Sequence, residues 1–171
     1  MAGPEGGDVR SLLMTSDGRI FAGTVRSGLL RSDDNGLTWE FHGLEDKRVF
    51  GIVETQTGAL LAATGEGVFR SPDGGETWVH IPSADVQQTY NVTLMVKDQY
   101  VFAASRDEVV RSADDGATWV DVSAGLELGA DSYSTMASND GYVFIYTHPE
   151  RVYPSDDYGD HWTLSSTGMP D

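Results

Sequence analysis

Ser71-Pro72-Asp73-Gly74-Gly75-Glu76-Thr77-Trp78 decides the reading of this chain, because the stretch recurs. The other copies are Ser32-Asp33-Asp34-Asn35-Gly36-Leu37-Thr38-Trp39, Ser112-Ala113-Asp114-Asp115-Gly116-Ala117-Thr118-Trp119 and Ser155-Asp156-Asp157-Tyr158-Gly159-Asp160-His161-Trp162. The pattern is Ser-x-Asp-x-Gly-x-Thr-Trp, and His161 alone departs from it, in the threonine place. All 4 tryptophans of the chain fall in these octets. A repeat at near-constant spacing means a stack of like structural units.

More repeats around each octet. An apolar stretch leads in, as in Gly28-Leu29-Leu30-Arg31, Gly67-Val68-Phe69-Arg70, Val109-Val110-Arg111 and Val152-Tyr153-Pro154. Further upstream lie turn signals, Ser16-Asp17-Gly18, Gln56-Thr57-Gly58, Lys97-Asp98-Gln99 and Asn139-Asp140-Gly141, of the kind that accept the backbone of tight hairpins. Strand-like runs flank those turns, such as Val9 to Thr15 with Ile20-Phe21-Ala22, and Val49 to Thr55 with Leu60-Leu61-Ala62. No stretch keeps a helical period. Each unit reads as strand, turn, strand, loop, strand, octet turn, strand. Four-stranded antiparallel units of about forty residues are the pattern of propeller blades, so the expected fold is an all-β β-propeller. The blades are expected near residues 8–43, 44–84, 85–125 and 126–167, in a single module that can also be part of a larger ring.

Composition narrows the function. Charged residues make up 22% and hydrophobic ones 39%, which suits a packed core and not disorder. The formal net charge of −16 repels phosphate backbones and anionic membrane surfaces, so nucleic acid is not an expected partner. There is no cysteine, hence no disulfide, thiolate metal site or thiol nucleophile. No apolar run is long enough to span a bilayer, and no signal peptide is legible at the start.

The octet resembles the Asp box, or BNR repeat, of sialidase-like and sortilin-like propellers. Similar boxes occur in xyloglucan-cleaving glycosidases and photosystem assembly factors. The resemblance runs from about Val9 to Trp162. It is specific for fold and says little about activity, because one fold hosts many functions. The box is a hairpin turn whose Ser and Asp (Ser32 and Asp34, Ser71 and Asp73, Ser112 and Asp114, Ser155 and Asp157) can bond turn backbone. Its glycine (Gly36, Gly75, Gly116, Gly159) can take a φ that a Cβ obstructs. Its tryptophan (Trp39, Trp78, Trp119, Trp162) can bury a large ring against a neighbouring sheet. These residues are therefore expected to be structural, with no metal and no cofactor. A framework role is likewise expected for Arg31, Arg70 and Arg111, which share one repeat place.

Strand alternation puts the boxes on one face and the remaining loops on the other. By resemblance to sialidases, a site belongs on the loop face. Candidate binding residues there are His42, Arg48, Phe50, Tyr90, Arg106, Tyr133, His148 and Arg151, with Phe50, Tyr90 and Tyr133 at the channel mouth. Mixed acids, arginines and rings suit a glycan or a protein partner. The favoured function is a non-catalytic binding or scaffolding module. The alternative is a glycoside hydrolase, sialidase-like or xyloglucanase-like, or a fragment of one. For that chemistry Asp85 and Asp131, in equivalent blade-connecting loops, are candidate paired carboxylates that nothing singles out from their neighbours, and the Phe/Tyr-Arg-Ile-Pro signature of sialidases is absent. Resemblance also implies a secreted or periplasmic setting. Four whole blades can close a small ring, or leave two apolar faces that a second copy covers, giving a homodimer with eight blades.

Overall fold

The octets fold as turns that use two consecutive left-handed residues. The glycine has φ 84, 102, 82 and 91° at Gly36, Gly75, Gly116 and Gly159, and the residue before it is left-handed too: Asn35, Gly74, Asp115 and Tyr158. Three of those four preceding residues carry a Cβ, so each turn is held in place by its side chains. The serine hydroxyl accepts from the glycine N–H (Ser71 Oγ from Gly75 N, 2.7 Å) and donates to the aspartate (Asp73 Oδ1, 2.7 Å). The aspartate accepts from both the backbone and the hydroxyl of the threonine, at 2.9 and 2.6 Å for Thr77. The same bonds recur at Ser32–Asp34–Thr38 and Ser112–Asp114–Thr118. In the fourth octet His161 N and Nδ1 replace the threonine groups on Asp157, at 2.9 and 2.7 Å.

The computed structural model describes residues 8–82, 92–128, 134–147 and 151–165. The first blade is β1 (Val9–Met14), β2 (Ile20–Thr24), β3 (Leu29–Ser32) and β4 (Glu40–Phe41). The second is β5 (Val49–Glu54), β6 (Leu60–Thr64), β7 (Gly67–Ser71) and β8 (Val79–His80). The third is β9 (Thr93–Lys97), β10 (Tyr100–Ala104), β11 (Val109–Ser112) and β12 (Val120–Asp121). The fourth has β13 (Ser134–Ser138), β14 (Val143–Thr147) and β15 (Arg151–Ser155), and Thr163 N and Ser165 N bond Pro154 O and Val152 O where an outer strand would lie. Every pairing is antiparallel and every sheet is a meander in chain order. The all-β propeller expected from the repeats is therefore the observed architecture.

The blades stack through three apolar seams. Phe21 and Leu29 of blade 1 meet Ile52, Leu60, Ala62 and Phe69 of blade 2. Leu61, Ala63 and Val68 of blade 2 meet Val101, Ala103, Val110 and Trp119 of blade 3. Phe102, Ala104 and Val109 of blade 3 meet Val143, Ile145, Tyr153 and Trp162 of blade 4. Leu60 and Leu61 thus face opposite seams, which is why β6 is apolar throughout instead of alternating. Box tryptophans from blades 2 to 4 pack into the seam with the preceding blade, and Trp162 Nε1 donates to Val122 O of blade 3 at 2.7 Å.

Candidate functional surface

The face bearing the boxes is consumed by the framework. Arg19 Nη1 donates to Gly74 O at 2.7 Å, Arg70 Nε to Asp115 O at 2.8 Å, and Arg111 Nη1 to Tyr158 O at 2.7 Å. Arg31 bridges Asp33 and Glu76, both at 2.9 Å, and Arg111 also pairs with Asp160. Each bond runs from one blade to the next box or within a box, so the framework role expected for Arg31, Arg70 and Arg111 is what the geometry shows. Hydrogen bonds from Thr38 and Thr77 hold the Asp34 and Asp73 carboxyls at about 2, and one from His161 holds Asp157 there too. At Asp114 burial pushes upward, and the bonds from Thr118 and Ser112 together outweigh it. These carboxylates are ionised and turned onto their own turns. Among the described residues no group of three or more His, Asp or Glu gathers to hold a metal. A pocket on this face is lined by Lys97, Tyr142, Asp156 and Tyr158 among others.

The opposite face is built on a second repeated device. Thr24 Oγ1 bonds Gly28 O and Ser27 N, Thr64 Oγ1 bonds Gly67 O and Glu66 N, and Ser105 Oγ bonds Glu108 O and N. These buried hydroxyls close the short loop between the second and third strands of blades 1 to 3. The signal was present in the chain as a Thr or Ser at one place per repeat, and it is easily passed over beside the boxes. The loops present Arg26, Glu66 and Arg106–Asp107 to solvent.

The candidate residues divide as follows. Arg48 and Phe50 come together: a Cβ added at Gly65 would lie 3.8 Å from Phe50 Cε2 and 3.9 Å from Arg48 Cβ. Arg106 pairs with its neighbour Asp107 at 3.2 Å, and Arg151 with Glu127 at 2.6 Å. Lys47 joins them, bonded to Glu66 at 2.7 Å and lying over the Phe69 ring at 5.2 Å. His42 is elsewhere. Its half-buried ring sits in the seam between blades 1 and 2, 3.0 Å from Arg31 Nη1 and 5.8 Å from the Phe21 centroid. Burial, then the Arg31 charge, push its pKa down. Tyr90, Tyr133 and His148, with Asp85 and Asp131, lie outside the described residues.

No protein-family model matches this chain. No curated protein matches it either. In structure it is similar to YCF48 from Cyanidioschyzon merolae, with 12% identity and a TM-score of 0.73 over 97% of this chain and 58% of that one. It is similar to an ancestral GH74 enzyme, with 17% identity and a TM-score of 0.72 over 95% of this chain and 26% of that one. A YCF48 structure with bound D1 peptide is similar at 15% identity and a TM-score of 0.66, over 94% of this chain and 54% of that one. The chain spans a little over half the length of YCF48 and about a quarter of the GH74 enzyme. At such identities the likeness is one of fold, and this chain is a β-propeller of antiparallel blades, three with four strands and the fourth with three among the described residues.

Proposed function

We propose that this chain is a non-catalytic propeller module of the Asp-box type that binds a peptide segment of a protein partner on its loop face. One observation carries this: cations are allotted differently to the two faces. On the box face Arg19, Arg31, Arg70 and Arg111 are tied into seams or boxes. On the loop face Arg26, Arg48 and Arg106 are exposed, and Arg106 and Arg151 pair with the exposed acids Asp107 and Glu127. Exposed surface pairs contribute little and are readily exchanged for a ligand's carboxylates. A propeller of this shape, YCF48, is known with a bound D1 peptide, which supports a peptide here over a sugar. On this view the chain acts as one module with blade limits near residues 43, 84 and 125. We place it, with the secreted or periplasmic propellers it resembles, outside the cytoplasm.

The test is a peptide array and a glycan array probed with the labelled chain, followed by titration of the strongest hits. Arg48→Ala and Arg106→Ala should weaken binding roughly tenfold each, a modest loss for one charged contact, with the melting temperature held. Binding lost only in box-face variants, or hydrolysis of aryl glycosides by the chain, would overturn the proposal.

A further inference from the structure

The three inner seams follow one plan, and the two outermost faces carry its halves, altered together. In the plan, the second strand of the leading blade seats a large apolar side chain under the glycine of the next box. Phe21 lies 3.0 Å from where a Cβ of Gly75 would stand, Leu61 is pressed against that place at Gly116, and Phe102 lies 3.5 Å from it at Gly159. Beside each of these on the ladder is an arginine: Phe21 pairs with Arg31, Leu61 with Arg70 and Phe102 with Arg111. Where the next box has an acid in its sixth place, the arginine meets it, as Arg31–Glu76 and Arg111–Asp160.

Blade 4 turns Phe144 outward from the same strand position, opposite to the buried Val143 and Ile145. Its ladder partner, however, is Pro154, where the other blades have arginine. Tyr142, 5.8 Å from Phe144 between ring centroids, stands where blade 1 has Arg19. Blade 1 shows the complementary half. A Cβ at Gly36 would meet only Trp39 of its own box. Leu12 and Met14, in the register of the buried Ile52 and the half-buried Glu54 of blade 2, are 66% and 70% exposed. The sixth place of its box is Leu37, 67% exposed, where boxes 2 and 4 have an acid. So the arginine is replaced on one end face and the acid on the other. A charged pair has become an apolar pair, split between the two ends of the chain.

We propose that these faces meet in a second copy: blade 4 of one copy docks on blade 1 of the other, and two copies close a ring of eight blades about a two-fold axis. Within one copy the first strands β1, β5, β9 and β13 neighbour one another in that order, and among the described residues no comparable contact joins β13 back to β1. The outward Phe144 and the unfilled place over Gly36 are the two halves of one inner seam, which picks a second copy over an unrelated partner. Each copy carries −16, so salt that screens their repulsion should tighten the dimer.

Light scattering on a sizing column tests this. The mass should be about twice 18.5 kDa, and the dimer should persist to lower concentration at high salt. Leu12→Glu and Phe144→Glu, both at surface positions of one copy, should each give monomers, because each spoils both junctions of its ring. An equal mixture of the two should recover dimers, since one junction then joins two intact faces. Pro154→Arg should also dissociate the dimer, and Pro154→Arg with Leu37→Glu should restore it by recreating the inner-seam pair. A wild-type chain that stays monomeric overturns the proposal. So does a Phe144→Glu chain that stays dimeric, which would mean that blade 1 pairs with blade 1.

Discussion

The box aspartates act as acceptors for their own turns, and this has a pH signature. Asp34, Asp73 and Asp157 are held at about 2, below the usual carboxylate value of about 4. Their contribution to stability is complete above the unfolded value and is lost as pH falls from about 4 toward 2. His161 has the opposite sign. Its bond to Asp157, and then the Asp157 charge, raise its pKa above 6.5, so its contribution is complete below about 6.5 and fades as pH rises through the folded value. Replacing His161→Thr should therefore leave acid unfolding near its original midpoint and remove the loss of melting temperature on the alkaline side of about 6.5. His42, with a lowered pKa, works the other way and is common to both proteins, so the difference between them isolates His161. Identical pH profiles for the two proteins would mean that His161 is only a spacer.

The strand-to-strand spacing within a blade was readable from the sequence, because each hairpin announces itself by a Gly or Asp turn. What one blade does for the next was less readable. Trp119 and Trp39 occupy the same place in the repeat, yet Trp119 is buried in the seam between blades 2 and 3 while Trp39 is half-exposed. Trp119→Ala should cost about 3–5 kcal/mol, the usual loss for a large buried ring, and Trp39→Ala clearly less when measured by denaturant on dilute protein. Equal losses would place the tryptophan energy within its own turn instead of in the seam. His42 shows the same limit at an element's end. Its position after β4 suggests a loop residue, but Phe21 and Arg31 draw its ring into the seam. Only neighbouring strands, distant in sequence, supply those partners.

Across the whole module, stability rests on seams and turns built from the chain's own groups. Calcium needs six to eight oxygen ligands, and the box carboxylates already face Ser, Thr or His donors of their own turn. A chelator should leave the melting temperature unchanged. A fall of several degrees that added calcium reverses would show that the boxes hold metal. The three seams also explain why function, if it is binding, is expected on the loop face: the box face has its cations committed to holding blades in register.

The sequence by itself determined the blade, its strand order and the structural use of the boxes. Those features depend on contacts within about forty residues, and the repeat states them several times over. It also marked Arg31, Arg70 and Arg111 as framework, since one role at one repeat place is the simplest account of their spacing. Only the tertiary structure decided where each arginine reaches, which apolar face of β6 meets which neighbour, and that His42 lies in a seam. It alone showed that Pro154 takes the ladder place beside Phe144 where the other blades have an arginine. Such facts depend on how one sheet is set against the next. That setting comes from side chains packing across blades, which no local pattern records.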